Sequence, residues 1–286
     1  MKSRKINNLL NIKSRKNKIK NNSTRRENFS NNNNNNNNNK TLKNKQEKHF
    51  ITFGGPTINF HNRVKELCND AKELNFFDNI KGFTDIDLKN DKIFWNNHCE
   101  FIENNKRGYG YWLWKPYIIK KYIDKMKYND ILIYCDCGCS FNKKGINRFY
   151  EYIEMLNTNI NNYGIISFVL PLAIHIEKSW TKKKILDILN VSEDDKNSKQ
   201  NMGGVLIIKK NNHSIDIINK WYKLSCNYEL INDNISNEID LFKENRHDQS
   251  LFSILVKQNG SIKLENEGVD VWLGGNTPIW ATRKRS

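Results

Sequence analysis

The chain predicts an α/β fold, a mostly parallel central sheet with helices on both faces, preceded by a disordered basic tail. Three observations lead there. From His49 onward, short apolar runs alternate with stretches whose apolar residues recur at helical spacing. The run Ile131 to Tyr134 is continuously apolar, as a strand buried on both faces must be. It ends abruptly in Asp136 and Gly138, a carboxylate and a permissive residue at the carboxyl end of a strand, where open α/β sheets bind ligands.

The elements follow in order. His49 to Phe53 reads as a strand closed by Gly54, Gly55 and Pro56, and Val64, Leu67, Cys68, Ala71 and Leu74 mark the helix after it. Ile80 to Phe83 is a second strand. Phe94, Trp95, His98, Phe101 and Ile102 share one helical face, and Pro116 is expected as the first residue of a helix reaching Met126. The Asp136 strand precedes a helix bearing Ile146, Phe149, Ile153 and Leu156. Ile165 to Leu170 and Gly203 to Ile208 read as strands. Trp180 to Leu189, Ile215 to Ser225 and Asp248 to Val256 read as helices, and Ser261 to Leu264 as a last small strand.

Residues 1–48 are a different material. They hold 14 Lys and Arg against Glu27 and Glu47, which is +12 of the formal +16. Asn31 to Asn39 is an unbroken asparagine run, and so polar a segment cannot offset its ordering entropy by burial. The domain is therefore expected over residues 49–286. The tail carries Phe29 as its sole aromatic, too little for base stacking, so nucleic acid is not the expected partner. No secretory or membrane-spanning stretch is visible, and a cytoplasmic protein is expected. Cys135, Cys137 and Cys139 alternate and the other three cysteines stand alone. This reads as buried free thiols rather than disulfides or a zinc site.

Three further groups carry chemistry. Gly108 to Pro116 packs four aromatics, two glycines and Lys115 before a helix. Lys115 is placed either to meet phosphate oxygens or to serve the fold. Trp112, Trp114 and Trp180 are candidates for stacking on a base or sugar, with core burial as the alternative. Gln200-Asn201-Met202-Gly203-Gly204 opens a strand, and the glycines either form a bulge or make room for a sugar ring. Arg246-His247-Asp248-Gln249-Ser250 is either a helix cap or a cluster that holds hydroxyls and stabilises positive charge at a reacting carbon.

The order Cys-Asp-Cys-Gly, Gln-Asn-Met-Gly-Gly-Val and His-Asp-Gln-Ser resembles the nucleotide-diphospho-sugar transferases of the GT-A fold, notably glycogenin-like and galactosyltransferase-like enzymes. Gly108 to Pro116 is similar to a group of glycosyltransferases from bacteria and large DNA viruses. The resemblance spans about residues 50–258. It implies a Rossmann-like GT-A domain moving a sugar from a nucleotide-sugar donor to a hydroxyl on a glycan or protein. For a viral member, the setting would be the host cytoplasm or the virion.

Residue by residue, the resemblance implies that Asp136 binds the donor ribose and a divalent metal, manganese or magnesium. Gln200, Gly203 and Gly204 would face the donor sugar, and Asp248 and Gln249 the reacting bond, with His247 beside them. Thr52 and Lys115 are expected to contact the nucleotide and diphosphate. One departure matters: Gly138 stands where the second aspartate of the Asp-x-Asp motif belongs, which leaves metal dependence open. The alternatives are a nucleotide-sugar-binding module without catalysis and a basic nucleic-acid-binding protein.

Overall fold

The computed structural model describes residues 45–235, 237–265, 267 and 275–284. The tail expected over residues 1–44 lies outside them. Residues 45–48, assigned to the tail by sequence, instead belong to the folded unit of residues 44–286. Lys45 pairs with Asp78 at 2.6 Å, the Glu47 amide donates to Asp130, and Lys48 opens the first strand.

The strands are β1 (Lys48–Gly54), β2 (Asn79–Thr84), β3 (Ile131–Cys135), β4 (Ser140–Phe141), β5 (Ile165–Phe168), β6 (Val205–Lys209), β7 (Ile262–Leu264) and β8 (Ile279–Trp280). The helices are α1 (Ile58–Glu73), α2 (Asp85–Asn90), α3 (Lys92–Asn104), α4 (Gly108–Tyr111), α5 (Trp114–Lys125), α6 (Ile146–Thr158), α7 (Lys183–Ile188), α8 (Glu193–Asn197), α9 (Asn212–Ser225), α10 (Tyr228–Ile231) and α11 (Asp248–Asn259). Six strands form the main sheet in the order β2-β1-β3-β6-β5-β7, and β4 pairs with β8 apart from it.

β2, β1 and β3 are parallel, as are β5 and β7, while β6 runs antiparallel between β3 and β5. The mostly parallel, helix-covered sheet is thus as expected, with one reversed strand. That reversal decides the site. Val205 at the start of β6 lies opposite Cys135 at the end of β3, so Gly203-Gly204 and Asp136 share one edge.

Alternation along each strand splits the core in two. Ile51, Phe53, Leu132, Tyr134, Leu206 and Ile208 pack with residues of α5, α9 and α11. Phe50, Ile131, Ile133, Val205 and Ile207 pack on the other face with residues of α1 and α6. Every residue of β3 and β6 is buried, which accounts for their continuous apolar sequence.

Some expected boundaries move. Pro116 is the third residue of α5 rather than its first. The helix expected over Trp180 to Leu189 begins at Lys183, after a short 3-10 turn over Glu177–Ser179. No helix among the described residues is long and apolar enough to cross a membrane.

Candidate active site

The parallel strands end on a cleft of about 1310 Å³. Its floor is a charged triad. The Lys115 ammonium lies 3.3 Å from Asp136 Oδ1 and 3.0 Å from Asp248 Oδ2, and it donates to the Gly203 carbonyl at 3.2 Å. Lys115 and Asp248 are buried, while the Asp136 side chain is 44% exposed toward the cleft. Three sequence-distant motifs therefore meet at one cation.

Each member has a local cause. Period-two alternation puts Tyr134 and Asp136 on the same face, and the Tyr134 hydroxyl donates to Asp136 Oδ1 at 2.6 Å. Asp136 N donates to Gly204 O at 2.9 Å. A Cβ at Gly204 would stand 2.9 Å from Asp136 Oδ2, so glycine keeps that oxygen clear. Arg63, buried on α1, donates to the carbonyls of Cys137 and Cys139 and fixes the loop after Asp136.

Burial drives the electrostatics. Asp248 is pushed up to about 6, mainly by loss of water and further by Asp136, with Lys115 pulling the other way. Its Oδ2 has the Lys115 ammonium, 3.0 Å away, as its charged partner. Burial opposes the Lys115 charge, yet the two carboxylates outweigh it and raise that group above its ordinary value. An ammonium has three donors, and here three oxygens surround it.

Beside the triad, Gln249 is held at both ends. Its Oε1 accepts from Gly203 N at 2.9 Å, and its Nε2 donates to Gln200 Oε1 at 2.7 Å. Gln200 in turn donates to Glu177, a fully buried carboxylate that also receives Thr181, Ser253 and Lys257. His247 Nδ1 lies 2.6 Å from the Ile231 carbonyl and therefore carries the proton there. Burial lowers its basicity, which favours the neutral ring, stacked against Tyr111 and Trp112.

The aromatic segment is the most strained in the cleft wall. Gly108, Tyr109, Gly110, Tyr111 and Trp112 all have positive φ, so α4 is one left-handed turn. Left-handed conformation costs about 1–2 kcal/mol per non-glycine residue. A Cβ at 108 would sit 2.4 Å from the Trp112 ring and one at 110 would sit 2.7 Å from Ile102, which explains both glycines. His247 adds a further non-glycine outlier at φ 53° and ψ −118°.

Several expected contacts are corrected. Thr52 is fully buried and donates to the Cys135 carbonyl, tying β1 to β3 away from the cleft surface. Gln200 is also fully buried and orients Gln249 rather than facing the cleft. Gly203 serves through its backbone, while Gly204 lines the cleft. Lys115, expected to assist a diphosphate, is already occupied by protein oxygens. Trp114 is buried and stacked on Phe53 at 3.8 Å, and Trp180 is covered by Arg246. Trp112 remains on the cleft wall, with Asp136, His247, Asp248 and Gln249.

The cysteines are free thiols among the described residues, and burial raises Cys137 to about 12. A divalent cation at Asp136 fits poorly. The ammonium of Lys115 is the adjacent charge, and backbone covers Gly138. The one His/Cys/Asp/Glu group among the described residues able to hold a metal is Glu47, His49 and Asp130, at the opposite end of the sheet.

Tyr134, Arg63, Glu177 and the residues after β8 escaped the sequence reading. Tyr134 was visible as the same-face neighbour of Asp136, and Arg63 as a cation on an apolar helix face. Nothing local distinguishes Glu177.

No family model and no curated protein matches the chain. Among solved structures it is similar to a glycosyltransferase involved in glycosylation of the major capsid protein of PBCV-1. That match has a TM-score of 0.43 and 10% identity, covering 78% of this chain and 82% of that one. It is also similar to mouse xyloside xylosyltransferase 1 in its apo form. There the TM-score is 0.43 and the identity 8%, with coverage of 82% and 97%.

Proposed function

We propose that the protein is a glycosyltransferase that moves a sugar from a nucleotide-diphosphate-sugar donor to a hydroxyl of a glycan or protein. The observation that supports this most is the meeting of Asp136, Lys115 and Asp248 on one cleft at the carboxyl edge of the sheet. Asp136 keeps Oδ2 for a donor hydroxyl. Asp248 and Gln249 stand where the bond from the anomeric carbon to the diphosphate breaks and the bond to the acceptor oxygen forms. The Asp248 carboxylate stabilises the positive charge that develops on that carbon, an interaction stronger in the transition state than in the ground state. The neighbouring Lys115 pulls the Asp248 value down against the upward push of burial.

The test is a panel of nucleotide sugars followed for donor hydrolysis and for transfer to simple glycosides. One donor should turn over. Saturable binding with no turnover of any donor would replace the enzyme by a binding module.

A further inference from the structure

The position that departs from the Asp-x-Asp pattern is physically occupied. β8 pairs with β4, and the residues after it run back over the loop that follows Asp136. Lys284 N and Thr282 Oγ1 both donate to the Gly138 carbonyl, at 2.9 and 2.8 Å. A Cβ at 138 would meet Lys284 O at 3.0 Å and Arg283 Cα at 3.3 Å. A side chain there would press on this strap, whose backbone would have to give by a few tenths of an ångström. In its place, the strap brings Arg283 to the cleft, on a left-handed residue with φ 54°.

Arg246 lines the same cleft. Its guanidinium lies 3.9 Å from the Trp180 ring centroid, and its backbone amide is fixed by Trp180 O and Ser250 Oγ. No carboxylate among the described residues pairs with either arginine, and Glu244, also on the cleft, is paired with Arg107 at 3.2 Å. Burial lowers Arg246 from its ordinary value, and the nearby charge of Arg283 lowers it further despite Glu244 and Glu177. Two guanidinium groups line one cleft with no ion-pair partner among the described residues, which leaves their donors open to an anion. Their forked donors match phosphate oxygens.

We propose that Arg246 and Arg283 form a diphosphate-binding pair that works without a divalent cation, with the strap standing in for the missing second carboxylate and its metal. Which diphosphate binds rests on the transferase reading; the anion site itself does not. During transfer the pair would hold the departing nucleoside diphosphate and its negative charge.

The test is calorimetric titration of the full chain with inorganic pyrophosphate in excess EDTA, then with manganese. Saturable binding in EDTA is expected. Arg283→Gln and Arg246→Gln should each weaken it at least tenfold, whereas Lys223→Gln, which removes one charge outside the cleft, should not. Arg283 is exposed, so its variant decides the matter even if Arg246→Gln fails to fold. Binding that requires manganese, or binding unchanged in Arg283→Gln, overturns the proposal. Pyrophosphate binding with no turnover of any nucleotide sugar would sink the transferase reading and leave the anion site standing. Manganese-dependent turnover indifferent to Arg283 would do the reverse.

Discussion

The two ends of the central sheet carry similar residues and use them differently. At the amino end, Asp130 receives the amides of Glu47 and Lys127, one on each oxygen, and lies 3.3 Å from His49. At the carboxyl end, Asp248 Oδ2 faces a side-chain ammonium rather than backbone amides, and Asp136 is half exposed. The first arrangement satisfies its carboxylate with backbone and locks β1 to β3. The second leaves oxygens for something else. Strain follows the same division: positive φ at the amino end falls on asparagines such as Asn129, which tolerate it, whereas Tyr109, Tyr111, Trp112 and His247 belong to the cleft wall or its support. Stored strain and a part-exposed carboxylate beside a buried ion pair are the physical marks of a site rather than a latch.

Lys115 gives the largest expected effect. Lys115→Met leaves two carboxylates together with Asp248 still buried, and removing one partner of a buried pair costs about 3–5 kcal/mol. Asp248 should then rise above its present value of about 6. Urea unfolding at pH 7 and pH 5 checks this: part of the lost stability should return at pH 5, where Asp248 is protonated. Equal losses at both pH values would mean that Asp248 does not feel Lys115.

Asp248 itself comes next. Its folded value of about 6 is above the usual 3.8, so between those values the folded state holds a proton that the unfolded state has released. The contribution from the protonated form is complete below about 4 and is lost as pH rises through about 6. At 1.36 kcal/mol per unit, the whole change is up to about 3 kcal/mol. Asp248→Asn should remove it, so parent stability should fall relative to the variant from pH 4 to 6 and run level above. In the same variant the turnover limb near pH 6 should disappear, with the loss in kcat rather than KM.

How much of this was legible beforehand depends on the range of the interaction. The strands β1, β3 and β6 and the burial of both sheet faces follow from local apolar pattern, and so does the placing of Asp136 at a strand end. The reversal of β6 does not, because an apolar strand reads the same in either direction. Yet that reversal brings Gly204 to Asp136. Lys115 was expected either to meet phosphate or to serve the fold, and its protein partners, Asp136 and Asp248, were not foreseen. A helix start favours anions, and nothing local announces that two carboxylates from positions 136 and 248 will arrive there. Thr52 and Gln200 have polar chemistry suited to a ligand, but their hydroxyl and amide are spent on buried protein acceptors. The strap over Gly138 is a contact across about 145 residues, and the glycine was its only trace.

The smallest effects give the sharpest contrast between the two ends, through one substitution at each. Asp130→Asn replaces an acceptor of two backbone amides with a group that can accept at only one oxygen. A buried donor left without a partner costs about 1–3 kcal/mol, so the melting temperature should fall. Donor affinity should not change, because the substitution lies at the far end of the sheet. Asp136→Asn loses less stability, since its side chain is half exposed and Lys115 still has Asp248. It should lose at least tenfold in donor binding or turnover, about 1.4 kcal/mol, with the charge-assisted contact to the donor hydroxyl. Thermal melting and donor titration on both variants should therefore give opposite rankings. If Asp136→Asn melts lower than Asp130→Asn and binds donor as the parent does, the carboxyl end is a latch too.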